Sequence, residues 1–150
     1  MCCDPVLREQ PPLEMSPDAL RRHLDLDPVS ASVGLARALV REALPALDDG
    51  RRETALLLTS ELVTNAVLHA RTPVQVGLVL DAHQVLLCVS DRLADGPILT
   101  PRAHSDDRSA GRGLALVADL AECWGTTAYT GGKTVWCLIR SSRGSSVRAG

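Results

Sequence analysis

TALLLTSELVTNAVLHA, running from Thr54 to Ala70, is the stretch from which the rest of the chain is read. Ala55, Leu58, Leu62, Ala66 and Ala70 recur every three or four residues, the spacing that lays one apolar stripe along an α-helix. Glu61 and Asn65 stand four residues apart, so they share a helix face about one turn from each other. A carboxylate at Glu61 can accept a proton from a nucleophile. An amide oxygen at Asn65 can serve a hard cation such as Mg²⁺, which takes few protein ligands when phosphates and waters supply the rest. Taken alone, the pair also fits an ordinary solvated helix face, so its meaning depends on what surrounds it.

Working toward the N-terminus, Asp48-Asp49-Gly50 reads as a turn, and Pro45 ends a preceding helix. That helix is expected to open at Asp27-Pro28, with Asp as N-cap and Pro at the first helical position. Val29, Val33, Ala36, Leu39, Val40, Ala43 and Leu44 make its apolar stripe. Leu24, Asp25 and Leu26 alternate as an edge strand does, and the Pro-rich residues 1–18 read as a loose lead-in.

Working toward the C-terminus, Val74, Val76, Leu78 and Leu80 alternate with other residues and Asp81-Ala82-His83 turns the chain. Val85, Leu87 and Val89 then lead to Ser90-Asp91, giving two strands. Residues 92–112 are rich in Gly, Pro, Ser and Asp, and a loop of that length in a compact domain reads as a lid or binding loop. Gly113-Leu114 opens another helix, with Leu114, Val117, Leu120 and Ala121 on one side. Gly125 to Thr130, a Gly131-Gly132 turn, and Lys133 to Arg140 close the domain as two strands, and the polar residues 141–150 read as a tail. The order strand, helix, helix, strand, strand, lid, helix, strand, strand describes an α+β two-layer sandwich over residues 19–140. Its sheet is mixed but mostly antiparallel, with the helices on one face.

Composition excludes several function classes. Aromatic residues make up 2% of the chain, with no Phe, so there are no stacking platforms for single-stranded nucleic acid. A formal net charge of −2 leaves no basic footprint for a duplex. No apolar run reaches the length of a membrane span or a signal peptide, which makes a cytoplasmic protein the expectation. Cys88, Cys123 and Cys137 sit in apolar runs as buried thiols do, while Cys2 and Cys3 stand in the lead-in. No C-x-x-C occurs and the histidines are scattered, which argues against zinc.

Several residues carry two readings each. Asp91 ends a strand before the long loop, as a turn-starting Asp does or as a carboxylate that accepts from an exocyclic amine does. Gly111-Arg112-Gly113-Leu114 puts glycines at a loop-to-helix junction. There exposed amides and missing side chains let a phosphate approach, or the glycines form a hinge. Arg112 can assist a phosphate or be solvated. The dinucleotide fingerprint fails because Leu116 holds the place of its third glycine, and a P-loop fails because Thr127 holds the place of its upstream glycine. Thr134 is a plain strand threonine or a hydroxyl backing a base pocket. His69 is expected to be structural and hydrogen-bonded.

In combination, four segments resemble the motif set of the GHKL, or Bergerat-fold, ATPases, and within them the bacterial anti-sigma-factor serine/threonine kinases. ELVTNAVLHA (Glu61 to Ala70) resembles the N box, and SDRLADGP (Ser90 to Pro97) the first glycine box. GRGLALV (Gly111 to Val117) resembles the second glycine box, and GGKTVW (Gly131 to Trp136) the closing strand motif. The resemblance runs from about Leu20 to Ile139. It implies ATP and Mg²⁺ as cofactors, Asn65 as the metal-holding residue and Glu61 as the general base toward a protein serine or threonine. It further implies Asp91 on the adenine amine, Gly111, Arg112, Gly113 and Leu114 around the phosphates, and Thr134 in support of adenine. The partners it implies are a sigma factor, an anti-sigma-factor antagonist, or both, with a second copy able to pair along a sheet face or edge. One departure is plain: where the family usually has a glycine two positions after the aspartate, Leu93 stands here. A non-catalytic partner-switching module is the alternative. The ATPase part of a sensor histidine kinase is set aside, because the residues before the central helix are too few and too Pro-rich for a dimerisation hairpin.

Overall fold

The computed structural model describes residues 16–44, 49–93 and 120–140. The expected Gly113-Leu114 helix opening, Gly111 to Leu114 as a group, the lead-in before Ser16 and the tail lie outside the described residues, as does most of the lid.

The elements follow the order β1 (Leu20–Leu26), α1 (Ser32–Ala43), α2 (Asp49–His69), β2 (Val74–Leu80), β3 (Gln84–Asp91), β4 (Cys123–Tyr129) and β5 (Gly132–Arg140). The strands form one five-stranded sheet in the order β1-β2-β3-β5-β4, and every pairing is antiparallel. The fold is the α+β arrangement expected from the sequence. β1 is an edge strand and carries exposed Arg21, Arg22 and His23, the kind of charged side chain that edge strands often bear.

α2 holds the layers together because its stripe is wider than the expected one. Ala55, Leu58, Leu62 and Ala70 are buried, and so are Thr59 and Val63 beside them. Thr59 tolerates burial because its hydroxyl donates to the Ala55 carbonyl 2.6 Å away, one turn back. α1 presents Ala36 and Val40, both fully buried, to the same core. Arg37 ties the two helices, its Nη1 donating to the Leu56 carbonyl at 3.1 Å and to Ser60 Oγ at 2.6 Å. Burying a Leu or Val side chain contributes roughly 1.5–3 kcal/mol, so this apolar interface outweighs the polar ties across it.

Two boundaries differ from the sequence reading. α1 begins at Ser32 rather than at Asp27-Pro28. Ser32 Oγ donates to the Asp27 carbonyl at 2.7 Å, and Val29 N donates to that same carbonyl at 2.8 Å, so residues 27–31 fold as a turn instead. α2 begins at Asp49, so Gly50 lies inside the helix and not in a turn. Helical Gly costs about 1 kcal/mol against Ala, less than the burial of the stripe that starts one turn later.

β3 and β5, the central pair, are buried on both faces. Val85, Leu87, Val89, Val135, Cys137 and Ile139 face the helices within the main core. Leu86, Trp136 and Leu138 form a second cluster on the opposite face. This explains why VLLCV and VWCLI are unbroken apolar runs: with both faces covered, alternation vanishes from the sequence. Among the described residues no helix is long and apolar enough to cross a membrane.

Candidate functional site

At one end of the central strand pair the helix-facing side stops being apolar. A cleft opens there between α2 and the sheet, and its empty space, counted out to open solvent, is about 340 Å³. α2 contributes Leu62, Asn65, Ala66 and His69, with Ala70 just past its end; β3 contributes Val89 and Asp91; β5 contributes Lys133 and Val135. The helical residues recur at three- and four-residue steps and the strand residues at two-residue steps, so each element turns one face inward. Apolar side chains make the walls, and four polar groups converge between them.

Asn65 is 7% exposed, and its amide nitrogen Nδ2 is buried without a hydrogen-bond partner among the described residues. An orphaned amide in a native interior costs about 1–3 kcal/mol unless something completes it. This group therefore marks a place for a polar ligand. Asp91, at the end of β3, is 4% exposed and fixed from several sides. Its Oδ1 accepts from the Leu93 amide at 2.9 Å, its Oδ2 meets Lys133 Nζ at 3.0 Å, and its carbonyl accepts from the Tyr129 hydroxyl. Just beyond, the Arg92 amide donates to Thr72 Oγ1 at 2.9 Å, which anchors the exit of β3 to the turn after α2. Glycine is required at Gly132, opposite Tyr129, because a Cβ there would run into the Asp91 carbonyl and the Tyr129 hydroxyl. Gly131 makes the turn with φ +96, where a side chain would be strained.

The structure thus brings together Asn65 and Asp91, two sequence-predicted residues from separate motifs. It places Glu61 one turn before Asn65 on α2, half-buried and outside the residues lining the cleft. Thr134 is not brought to the cleft either. In the register Ser90 pairs with Thr134, and their hydroxyls bond each other at 2.7 Å, on the sheet face opposite to Val89, Asp91, Lys133 and Val135. His69 differs from its expected role: it is exposed, lines the cleft mouth and has no hydrogen bond among the described residues. Gly111, Arg112, Gly113 and Leu114 fall outside the described residues.

Lys133 is the cleft residue that sequence reasoning missed. Once Val135, Cys137 and Ile139 are seen to face the helices, counting back by twos puts Lys133 on that side and Thr134 on the other, but the unbroken apolar run VWCLI hides this phase in the sequence.

With this geometry established, comparison with known proteins adds the following. Residues 27–139 match the histidine kinase-like ATPase domain family. Among curated proteins none matches the chain. Among solved structures, the RsbU and RsbW domains of Rv1364c from Mycobacterium tuberculosis superpose with a TM-score of 0.61 at 23% identity. That match covers 81% of this chain and 32% of the other, so the likeness is one of fold.

Proposed function

This chain belongs to the histidine kinase-like ATPase domain family, and from that premise we propose that it binds ATP with Mg²⁺ as an anti-sigma-factor-type regulator. In this reading it is a serine/threonine protein kinase that phosphorylates an anti-sigma-factor antagonist, sequesters a sigma factor, or does both. The observation that carries the reading is the convergence of Asn65 and Asp91 on one apolar-walled cleft, with Asn65 Nδ2 buried and unpartnered among the described residues.

The residues present fit the group. Asn65 would hold Mg²⁺ through its carbonyl oxygen, a hard donor, leaving the rest of the shell to phosphates and water. Asp91, buried and already oriented by the Leu93 amide, would accept from the adenine amine. Leu62, Ala66, Val89 and Val135 would sandwich the base and exclude water. Gly111, Arg112, Gly113 and Leu114 would surround the phosphates. Thr134 would support adenine indirectly, through Ser90 and the strand that carries Asp91. Glu61 would take the proton from the substrate hydroxyl, sharing a helix face with the metal-holding amide. Bound Mg-ATP supplies the transferable phosphoryl group, and catalysis then rests on positioning and charge neutralisation.

The position of Glu61 outside the cleft lining supports a second reading, a nucleotide-binding module that controls its partner by occupancy alone. One experiment separates the two: incubation with radiolabelled ATP, Mg²⁺ and candidate antagonist proteins. The kinase reading expects label on a serine or threonine of one antagonist. Glu61→Ala should then lower transfer by about 10²–10⁴-fold, the range for a general base, with ATP binding retained. Transfer undiminished in Glu61→Ala would remove that residue from the role of base. Nucleotide-dependent partner binding with no label would favour the occupancy module.

A further inference from the structure

Resting on the reading that the cleft takes an adenine nucleotide, we infer that Lys133 is a specificity-determining residue. Paired with Asp91 it reads the Watson–Crick edge of the base: the carboxylate accepts from the exocyclic amine, and the ammonium donates to the adjacent ring nitrogen, N1.

Four observations lead there. Asp91 and Lys133 are direct cross-strand partners at the cleft end of β3 and β5, and both line the cleft. Their side chains are 5% and 9% exposed, and Nζ lies 3.0 Å from Oδ2, so a donor and an acceptor stand side by side in a water-poor place. Lys133 is also left incomplete. An ammonium carries three donors, and among the described residues it meets one acceptor, Asp91. Buried charge stays stable when its remaining protons find acceptors, and a ring nitrogen supplies one. Asp91 has capacity to spare as well. A carboxylate accepts about four hydrogen bonds, and the Leu93 amide and Lys133 take two of them. It can therefore receive an amine without releasing the lysine. Thr134 does not compete for this task, because its hydroxyl is on the opposite face, bonded to Ser90.

A neutral aliphatic side chain at position 133 would leave N1 without a protein donor. A lysine there makes the ring nitrogen count in affinity as much as the amine does.

The test is calorimetric titration of the full chain, without Mg²⁺, against ADP and 1-deaza-ADP, in which N1 is replaced by a C–H group. A hydrogen bond from a charged donor changes affinity by roughly tenfold or more. The analogue should therefore bind at least about tenfold more weakly than ADP. In Lys133→Met the two ligands should bind alike, and Lys133→Gln, which keeps a neutral donor, should restore part of the difference. A thermal melt of each variant checks folding, and the wild-type comparison stands without them. Equal binding of the two ligands by the wild type would overturn the inference, as would a difference that persists in Lys133→Met. Tighter ADP binding by Lys133→Met would overturn it too, since the ion pair would then be a barrier to the base. No heat with ADP in the wild type would instead sink the nucleotide reading beneath it.

Discussion

The two ends of the β3–β5 ladder have the same neighbours and the same register, yet they are finished differently. Near Val85, Leu87, Cys137 and Ile139 the helix-facing side is closed and mainly apolar, with the buried indole of Trp124 beside Cys137 as its polar exception. Even the thiol conforms: burial, with Cys88 nearby, pushes the Cys137 pKa well up, so it stays protonated and packs as a small hydrophobe. At the other end Val89 and Val135 give way to Asp91 and Lys133, with Asn65 overhead, and polar groups are buried short of partners among the described residues. A protein interior normally satisfies such groups or does without them. The closed end is built to hold the fold, and the open end is built to be completed from outside.

If that division is right, the two ends should respond to substitution in different ways. The largest stability effect is expected at the closed end. Leu87 is fully buried, and Leu87→Ala should lower unfolding free energy by about 2–5 kcal/mol in a denaturant titration, from lost transfer energy and the residual cavity. ADP affinity of the folded fraction should stay within about twofold of wild type, since 0.4 kcal/mol or so is all that such a change represents. A large loss of affinity in the folded fraction would mean that the two ends are mechanically one, and the comparison would break.

At the open end the signs should separate. Asn65→Leu replaces an orphaned buried amide with an apolar group of similar size, so stability should rise by about 1 kcal/mol. Nucleotide affinity should fall by about tenfold or more in the same protein, because the polar contact is gone. Asn65→Ala should lose the Mg²⁺ dependence of nucleotide binding without that gain in stability. A destabilised Asn65→Leu with intact affinity would show the amide to be a structural group after all.

Between the ends, Arg37 offers a milder check. Arg37→Ala removes two hydrogen bonds between α1 and α2 and should cost about 1–2 kcal/mol of stability. The cleft should not notice, because Arg37 does not line it. A change in ADP affinity at constant folding would show that the α1–α2 contact tunes the cleft.

Much of this contrast was legible before any coordinates. The three-and-four spacing of Leu58, Leu62 and Ala66 gave the helix and its inward face, and the alternation of Val74, Val76 and Leu78 gave β2 with its phase. Asn65 is legible because it shares a helix face with Glu61, and Asp91 because it ends a strand just before the long loop. The phase of β5 was not legible in the same way. Thr134 to Ile139 is covered on both sides, so period two left no trace there, and the hydroxyl at Thr134 drew the reading one residue off the cleft. Lys133 reads in the sequence only as the first residue of the closing strand, and pairing with Asp91 across the ladder gives it a role. The start of α1 was missed for a different reason. Asp27-Pro28 carries good start signals, but a Ser32 hydroxyl five residues away captures the Asp27 carbonyl, and no propensity rule reads that bond.

The smallest effect comes from a polar group that is satisfied, and it supplies the control for Asn65. Asp81 sits in the β2–β3 turn at the closed end. Its Oδ1 accepts from the His83 amide at 2.8 Å and the Gln84 amide at 3.0 Å, and its Oδ2 accepts from the Ser16 amide at 3.3 Å. Burial alone would raise its pKa, but the amides outweigh it and hold the carboxyl below its ordinary value of 3.8. A carboxylate depressed on folding adds stability above its unfolded pKa, and that stability is lost as pH falls through the lower folded value. Thermal melts from about pH 6 downward should therefore show wild type slightly more stable than Asp81→Asn, by no more than about 0.5 kcal/mol for so exposed a group. The gap should close as the pH drops below the ordinary carboxylate value. A gap that widened with acid would mean that Asp81 is as short of partners as Asn65, and the contrast between the two groups would fail.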